Sequence, residues 1–523
     1  MPVTRSLHAL MPVVVGALRR VSSAVVLRWL LFTAIFSLAA VPPLDPDLWW
    51  HLANGRLMVT TGTIPHVDLY SFSAAGHPWV MHEWLADLTM YLLYQLGGLP
   101  LLVAVFAGVV TAGAICLYVI LRRSNLHPTL AAVLTLVGAL AGSTAWGARP
   151  QLLNLLMMGV LVVGLGFYRQ GRLSPFLLLP FIWLWANLHS GFLVGVIIAG
   201  LFLIGEWFDA RRSPATGMPA RRRILFGSAI GAGTLLSVVN PSGVQTLLFP
   251  LGTLTSPLIQ NNIQEWASPD FHSMAGVMFE AIVFLILGGL ATGKVKARTH
   301  EWLWAFALLY LALASQRNVP LFVIGAAPLA ARGAQALLVT LSAILPTAVR
   351  RPAAQAALRW TPIRLNPPTA ALGVLNLALL LVAVVVMITY RALPNLRSAD
   401  EADAIASVFP VQATDALQAI GKPIRIFNYY DYGGYLLWRL YPQGSRIFID
   451  GRVEVYGSAL FSRYLRVSYL AEGWPSVIAD ADPDAIVLPN GHPLVGLLGQ
   501  NPEWQLFSRD RVATVFTRVG FAP

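Results

Sequence analysis

Cysteine and charge are both scarce in this 523-residue chain. The single cysteine, Cys116, lies inside an apolar run, so the sequence excludes an intrachain disulfide. Charged residues make up 11% of the chain, against roughly 25% in soluble domains. Because 56% of the residues are hydrophobic, a water-soluble fold of this size would lack polar surface. The composition therefore excludes an ordinary soluble globular protein.

Lysine is rare beside arginine, and 36 basic against 24 acidic residues give a formal net charge of +12. Such a balance can indicate nucleic acid binding. Here the basic residues lie in short clusters between apolar blocks, which is the pattern of cytoplasmic loops in membrane proteins. We therefore expect membrane lipid, and no nucleic acid, as a partner.

Apolar blocks of membrane-spanning length recur along the first 390 residues. A helix needs about 20 mostly apolar residues to cross the hydrocarbon core. The blocks predict eleven spans, at 24–42, 99–121, 129–147, 150–168, 174–189, 190–208, 224–240, 275–292, 301–316, 318–344 and 369–390. We interpret the first as an uncleaved span rather than a signal peptide, because many further spans follow.

The charges between these blocks predict the orientation. Most arginines and lysines precede the first span or follow every second one, whereas the alternate loops hold only Arg56, Arg149 and Arg317. The positive-inside rule then places the N-terminus in the cytoplasm. Since the number of spans is odd, the C-terminus is expected outside.

Two regions outside the spans are expected to have structure of their own. Residues 43–98 form an acidic first extracytoplasmic loop, in which 79–97 is predicted to be an amphipathic helix on the outer membrane surface. Residues 391–523 hold 12 Lys/Arg and 13 Asp/Glu without a spanning run. We predict a multispanning domain 1–390 and a soluble extracytoplasmic α/β domain 391–523. Its predicted strands are 425–427, 446–449, 485–488 and 512–516.

The densest cluster of ionisable and aromatic side chains follows the first span, at 44–56. Asp45 and Asp47 flank a proline, and such a pair can share a divalent cation or divide the roles of base and metal ligand. His51 lies one helical turn after Asp47, on the same face. An Asp N-cap followed by two tryptophans at headgroup level explains the same residues equally well.

Further polar residues lie in this loop or at the predicted outer ends of other spans. The candidates for substrate binding are His51, His82, Glu83, His189 and Glu265. Arg149 and Arg317 can hold a phosphate through charge-assisted bonds, or can simply extend to the membrane surface. Two motifs of the C-terminal domain, 429–435 and 448–452, suit either sugar binding or packing onto the membrane part.

The stretch 45–83 resembles bacterial members of the GT-C superfamily of membrane glycosyltransferases, particularly relatives of protein mannosyltransferases. The motifs that carry the resemblance are Asp-Pro-Asp-Leu-Trp-Trp-His-Leu at 45–52, Gly-Thr-Ile-Pro at 62–65, Asp-Leu-Tyr-Ser-Phe-Ser at 68–73 and His-Glu-Trp-Leu at 82–85. The segments 148–151, 187–191, 317–320, 431–435 and 449–452 are similar to the same group.

This resemblance implies a polytopic α-helical, GT-C-like fold in a bacterial inner membrane. It implies inverting transfer of a sugar from a polyprenyl-phosphate donor to an envelope glycan, lipid or protein acceptor outside the cytoplasm. Asp45 matches the first carboxylate of the family's pair and is our candidate general base, with Asp47 as the second catalytic carboxylate. Glu265 is our candidate for the acidic position that the family has in a later loop, although its surroundings match no family motif. With Asp47 it is the expected site of a divalent metal.

Two other functions stay open at this point. A transporter or flippase of lipid-linked glycan should have paired broken helices or inverted repeats, and the sequence has neither clearly. A non-catalytic envelope assembly protein would use the C-terminal domain for docking.

Overall fold

The structure, a computed structural model, describes residues 22–215, 217–254, 260, 262–344 and 369–521. The basic stretch before the first predicted span lies outside these residues. The membrane part consists of α1 (Ser23–Ala39), α2 (Pro46–Thr61), α3 (Trp84–Arg123), α4 (Pro128–Ala141), α5 (Leu152–Arg169), α6 (Leu178–Leu188), α7 (Phe192–Arg212), α8 (Ala220–Leu236), α9 (Gln245–Leu254), α10 (Met274–Ala291), α11 (Thr299–Ala314), α12 (Val319–Ile344) and α13 (Ala370–Met387).

Within the described ranges, six helices are long and apolar enough to cross a membrane: Trp84–Arg123, Leu152–Arg169, Phe192–Arg212, Met274–Ala291, Gln316–Ala343 and Ala370–Ala392. Three shorter apolar helices also coincide with predicted spans: Ala24–Ala39, Pro128–Ala141 and Pro175–Leu188. The chain is thus a multi-pass helical membrane protein, as predicted. The predicted spans at 224–240 and 301–316 fall on α8 and α11, which have only 17 and 16 residues. The count of eleven therefore stays a prediction.

The long helix α3 is kinked where the sequence has a Gly-Gly pair. Gly98 has a φ of +65°, a conformation that costs a glycine little because it has no Cβ. The kink separates the segment 84–96 from the apolar segment that follows. A helix boundary was predicted at this pair. That the first segment lies on the membrane surface stays a prediction.

The C-terminal part is a small α/β unit with a mixed sheet. Its strands are β1 (Arg425–Asn428), β2 (Arg446–Ile447), β3 (Ala485–Pro489), β4 (Trp504–Arg509) and β5 (Ala513–Arg518). Its helices are α14 (Ser398–Ala406), α15 (Val411–Ala419), α16 (Gly433–Leu440), α17 (Val453–Ser468), α18 (Trp474–Ala481) and α19 (Pro493–Leu498). The sheet order is β2-β1-β3-β5-β4, with β2, β1 and β3 parallel and the other two pairings antiparallel.

Four of these strands coincide with predicted ones, and β4 was missed. It lies at the edge of the sheet, and polar side chains interrupt its apolar pattern, so its sequence lacks a buried strand's signature. The boundary between the two domains at residue 390 stays a prediction.

The first loop, within residues 43–98, pairs with the other edge of this sheet, beside β2. The amide N–H of Phe72 donates to the carbonyl oxygen of Ile447 at 3.0 Å. In return the amide N–H of Ile447 donates to the carbonyl oxygen of Tyr70 at 3.2 Å. Ser71 and Ile447 form a parallel bridge. The loop therefore covers a sheet edge that would otherwise have unpaired backbone groups.

Arg452, which is fully buried, joins the loop to the C-terminal domain. Its guanidinium lies 2.6 Å from the Asp450 carboxylate of its own domain and 3.0 Å from the Asp68 carboxylate of the loop. The rings of Tyr70 and Trp79 lie 4.9 and 4.7 Å from the same group. Two acids and two aromatic faces thus compensate one buried cation.

Replacing Arg452 with Met is expected to destabilise the protein by about 3–5 kcal/mol, because two buried carboxylates lose their partner. The matched control is Arg463→Met, which breaks the 3.0 Å pair with Asp480, whose side chains are 44% and 68% exposed. That exposed pair should contribute at most about 1 kcal/mol. Thermal unfolding of both variants in detergent measures the difference, and equal midpoints would contradict this account of the docking.

Candidate active site

A cavity of about 320 Å³ lies where the first loop, the helical bundle and the C-terminal domain meet. The predicted site residues in its wall are Asp47, His51, His82, Glu83, Arg149, His189, Glu265 and Arg317. Asp45 is the one predicted site residue that is not part of this wall. Residues up to 270 positions apart in the sequence are therefore brought to one place, as the hypothesis of a single site required.

Asp45 and Asp47 lie at the start of α2 and have different environments. Asp45 is the N-cap residue: its Oδ1 accepts the amide N–H of Asp47 at 2.9 Å, and its Oδ2 lies 2.6 Å from Nε of Arg149. Asp47 is in the first helical turn, where its Oδ1 accepts the indole N–H of Trp50 at 3.0 Å. The protein engages both oxygens of each carboxylate, since Oδ2 of Asp47 also accepts a hydrogen bond from Arg149 at 3.2 Å. Of the two, only Asp47 lines the cavity.

Arg149 contacts three carboxylates. Besides the contact with Asp45, its Nη2 lies 3.2 Å from Asp47 and its Nη1 lies 3.0 Å from Glu265. The planar guanidinium allows this, because its donors point in several fixed directions. Glu265 in turn lies 3.4 Å from Nη1 of Arg317, which is positioned over the ring of Trp266. The two predicted phosphate-binding arginines therefore flank one glutamate.

Two carboxylates of this wall, Asp47 and Glu265, have different pKa values. Burial raises the pKa of Asp47 to about 6; the neighbouring Asp45 carboxylate acts in the same direction, and Arg149 opposes it. Burial acts to raise the pKa of Glu265 as well, but Arg317 and Arg149 outweigh it and hold that pKa below its usual value. Asp47 is therefore the better proton acceptor near neutral pH.

On the other side of the cavity, Glu83 lies among three histidines. Nε2 of His189 is 3.0 Å from its Oε1, Nε2 of His82 is 3.4 Å from the same oxygen, and Nδ1 of His51 is 3.7 Å from Oε2. The amide N–H of Gly191 donates to Nδ1 of His189 at 2.8 Å. Since Nδ1 accepts a hydrogen bond, the neutral His189 carries its proton on Nε2. This N–H donates a hydrogen bond to the Glu83 carboxylate.

The predicted metal site and the observed donor sets differ in one respect. The Arg149 guanidinium lies between Asp47 and Glu265, so a cation held by those two carboxylates requires Arg149 to move. Among the described residues, His51, Glu83 and Asp87 form a buried group whose ligand atoms lie within 4.8 Å of one another. An imidazole with two carboxylates is a donor set that suits divalent transition metals. A metal at either place stays a prediction.

The sequence did not predict that the C-terminal domain forms part of the cavity wall. It contributes Tyr430, Gly451, Val453 and Glu454. These residues lie in or beside the motifs 429–435 and 448–452, which suit either sugar binding or packing onto the membrane part. The packing is close, because a Cβ on Gly451 would overlap with Oδ1 of Asp47. Packing onto the membrane part is therefore established, and it brings the motifs to the cavity as well.

No family model and no curated protein matches the chain. Among solved structures it is similar to the archaeal oligosaccharyltransferase AglB from Archaeoglobus fulgidus in complex with an inhibitory peptide and a dolichol-phosphate. The two share 11% sequence identity and a TM-score of 0.52, over 89% of this chain and 69% of that chain. The fold is GT-C-like. This confirms the fold that the resemblance implied.

Two further solved structures are similar to the chain. One is the same Archaeoglobus fulgidus oligosaccharyltransferase in the apo form, with a TM-score of 0.52 and 11% identity over 90% of this chain and 70% of that one. The other is ArnT from Cupriavidus metallidurans bound to undecaprenyl phosphate, with 15% identity and a TM-score of 0.47 over 94% of this chain and 97% of that one.

Replacing Gly451 with Ala is expected to lower stability by about 1–3 kcal/mol, because the new methyl group displaces Asp47 from a tightly packed contact. Gly496→Ala in the same domain is the control, since no atom lies within 4 Å of a Cβ at that position. It should leave stability unchanged or raise it slightly. Thermal unfolding in detergent compares the two, and the account is wrong if both behave alike.

Proposed function

We propose that the protein is a glycosyltransferase that moves a sugar from a polyprenyl-phosphate donor to an acceptor on the extracytoplasmic side of a bacterial cell membrane. The observation that carries this proposal is the convergence of Asp47, Arg149, Glu265 and Arg317 at one cavity of a GT-C-like fold. A base and two cations at one cavity provide what transfer from a lipid phosphate requires.

The chemistry of the cavity supports a lipid-phosphate donor. The cavity is lined by the two arginines and also by apolar side chains, among them Leu155, Ile197 and Leu321. The AglB structure to which the chain is similar contains dolichol-phosphate, a polyprenyl phosphate. Arg317 is the better candidate for the phosphate ligand, because its one acidic contact among the described residues, with Glu265, is long at 3.4 Å. A phosphate can replace that contact with shorter charge-assisted bonds.

The proposed reaction is one displacement at the anomeric carbon of the donor sugar. An acceptor hydroxyl gives its proton to Asp47 while its oxygen forms the new bond to that carbon. The bond from the carbon to the phosphate oxygen breaks, and the polyprenyl phosphate leaves with the electron pair. Arg317, with Arg149, stabilises the charge on the leaving phosphate. Attack opposite the leaving group inverts the configuration.

The assignment of the base differs from the expectation based on family resemblance. Asp45 matches the family position, but it does not line the cavity, and it lies closer to Arg149, at 2.6 Å, than Asp47 does at 3.2 Å. We therefore assign Asp47 as the general base and Asp45 as the residue that positions Arg149. A divalent metal, where one is bound, would act as a Lewis acid on the phosphate, and His51, Glu83 and Asp87 have donors that fit it.

Replacing Asp47 with Asn is expected to lower sugar transfer by about 10²–10⁴-fold, the usual contribution of a general base. Membranes that contain the protein and its natural acceptor are supplied with radiolabelled polyprenyl-phosphate sugars, and release of the lipid phosphate is measured. The control is Asp415→Asn, which alters an exposed carboxylate of the C-terminal domain and should retain the rate. Full transfer by the Asp47 variant would contradict the assignment of Asp47 as the base, whereas no transfer by the natural protein would favour a transporter or an assembly protein.

The pH dependence of transfer offers a second test. A carboxylate base acts when deprotonated, so the rate should fall about tenfold per pH unit below a pKa of about 6. Asp45→Asn removes a negative charge that raises the pKa of Asp47, and it leaves Arg149 to interact more strongly with Asp47. Both effects shift the profile to lower pH. A kcat/KM profile that stays in place or moves to higher pH would contradict the assignment.

A further inference from the structure

A second group of ionisable side chains, two of the three buried, lies far from the cavity. It consists of Glu206 and Asp209 near the end of α7 and His300 at the start of α11. The first turns of α7 contribute to the cavity wall, and Glu206 lies 14 residues beyond its first residue, which is about 20 Å along the helix axis. The proposed transfer reaction has no use for these residues.

The backbone brings the three side chains together. Glu206 and Asp209 are three positions apart, so they lie on one face of α7. Gly205 lets the start of α11 approach α7 directly, since a Cβ there would overlap with the backbone nitrogen of His300. The rings of Phe202 and Trp304 lie 4.9 and 4.8 Å from the imidazole ring. The imidazole is thus held in place before any ligand binds.

Two atoms of this group are buried without a hydrogen-bond partner. They are Oε2 of Glu206 and Nδ1 of His300, in side chains that are 0% and 7% exposed. Nε of Arg169 donates to the other oxygen of Glu206 at 2.8 Å, and that oxygen lies 3.4 Å from the imidazole nitrogen. A buried carboxylate oxygen without a hydrogen bond, and a buried imidazole nitrogen with only this long contact, are poorly compensated, and both are metal ligands.

We propose that Glu206, Asp209 and His300 form a binding site for a divalent transition metal ion, with Zn²⁺ as the best fit, that fastens α7 to α11. Their ligand atoms lie within 4.8 Å of one another, so one ion can reach all three after small side-chain adjustments. One nitrogen and carboxylate oxygens from two helices are a usual donor set for zinc.

The competing explanation is a helix cap without a metal. Asp209 accepts a hydrogen bond from the side-chain hydroxyl of Thr299, which is the first residue of α11. If the acidic residues serve only this cap and the pair with Arg169, the protein binds no ion there. The cap does not, however, use Oε2 of Glu206 or Nδ1 of His300.

The test uses the full-length protein purified in detergent, stripped with a chelator and dialysed against micromolar Zn²⁺. Elemental analysis should find one zinc per chain more in the natural protein than in His300→Gln or Glu206→Gln. Added Zn²⁺ should raise the unfolding temperature of the natural protein but not of these variants. Glu83→Gln, which alters the other histidine and carboxylate group, should keep this zinc ion.

The variant Asp209→Asn keeps the proposal testable if His300→Gln and Glu206→Gln do not fold. The asparagine side-chain oxygen still accepts the hydrogen bond that caps α11, but the negative charge of the metal ligand is lost. It is expected to fold and to bind this zinc at least tenfold more weakly. Equal zinc contents in the natural protein and all three variants would overturn the proposal. So would a natural protein without bound zinc under these conditions.

Discussion

The cavity depends on one buried cation, Arg452. A guanidinium without exposure must be compensated within the protein, and here the compensation comes from both sides of a domain contact, through Asp450 and Asp68. Because Gly451 is the adjacent residue, the same contact presses the C-terminal backbone against Asp47. The position of a carboxylate near the N-terminus is therefore set by a loop some 400 residues later, and the site is complete only when both domains are docked.

At the cavity, Arg149 compensates the charges of three neighbouring carboxylates. By contacting Asp45, Asp47 and Glu265 together, it holds close to one another three negative charges that would otherwise repel. In the part of the chain that the structure describes, Arg317 has one acidic contact, the long one with Glu265. Arg149 thus binds the three carboxylates, and Arg317 can bind an anionic ligand. The spacing of the residues along the chain predicts neither of these two roles.

Sequence patterns predicted those features that local physics determines. Long apolar runs indicate spans wherever they occur, since a helix in lipid must satisfy its backbone internally. The break at Gly97-Gly98 is also a local feature, because glycine adopts a positive φ at little cost. The pairing of Arg149 with Asp45 joins residues 104 positions apart, and no local rule gives it. The edge strand β4 lacked a buried pattern. The contribution of Glu454 to the cavity follows only from domain docking.

The central claim is that a lipid phosphate binds beside Asp47. A cryo-electron microscopy structure of the protein with added polyprenyl phosphate tests it most directly. The account predicts phosphate oxygens at hydrogen-bonding distance, about 3 Å, from the Arg317 guanidinium, with the Asp47 carboxylate facing the same space and the prenyl chain along the wall near Leu155. A phosphate bound away from Arg317 and Arg149, or on the side of the bundle where α7 ends, would contradict it.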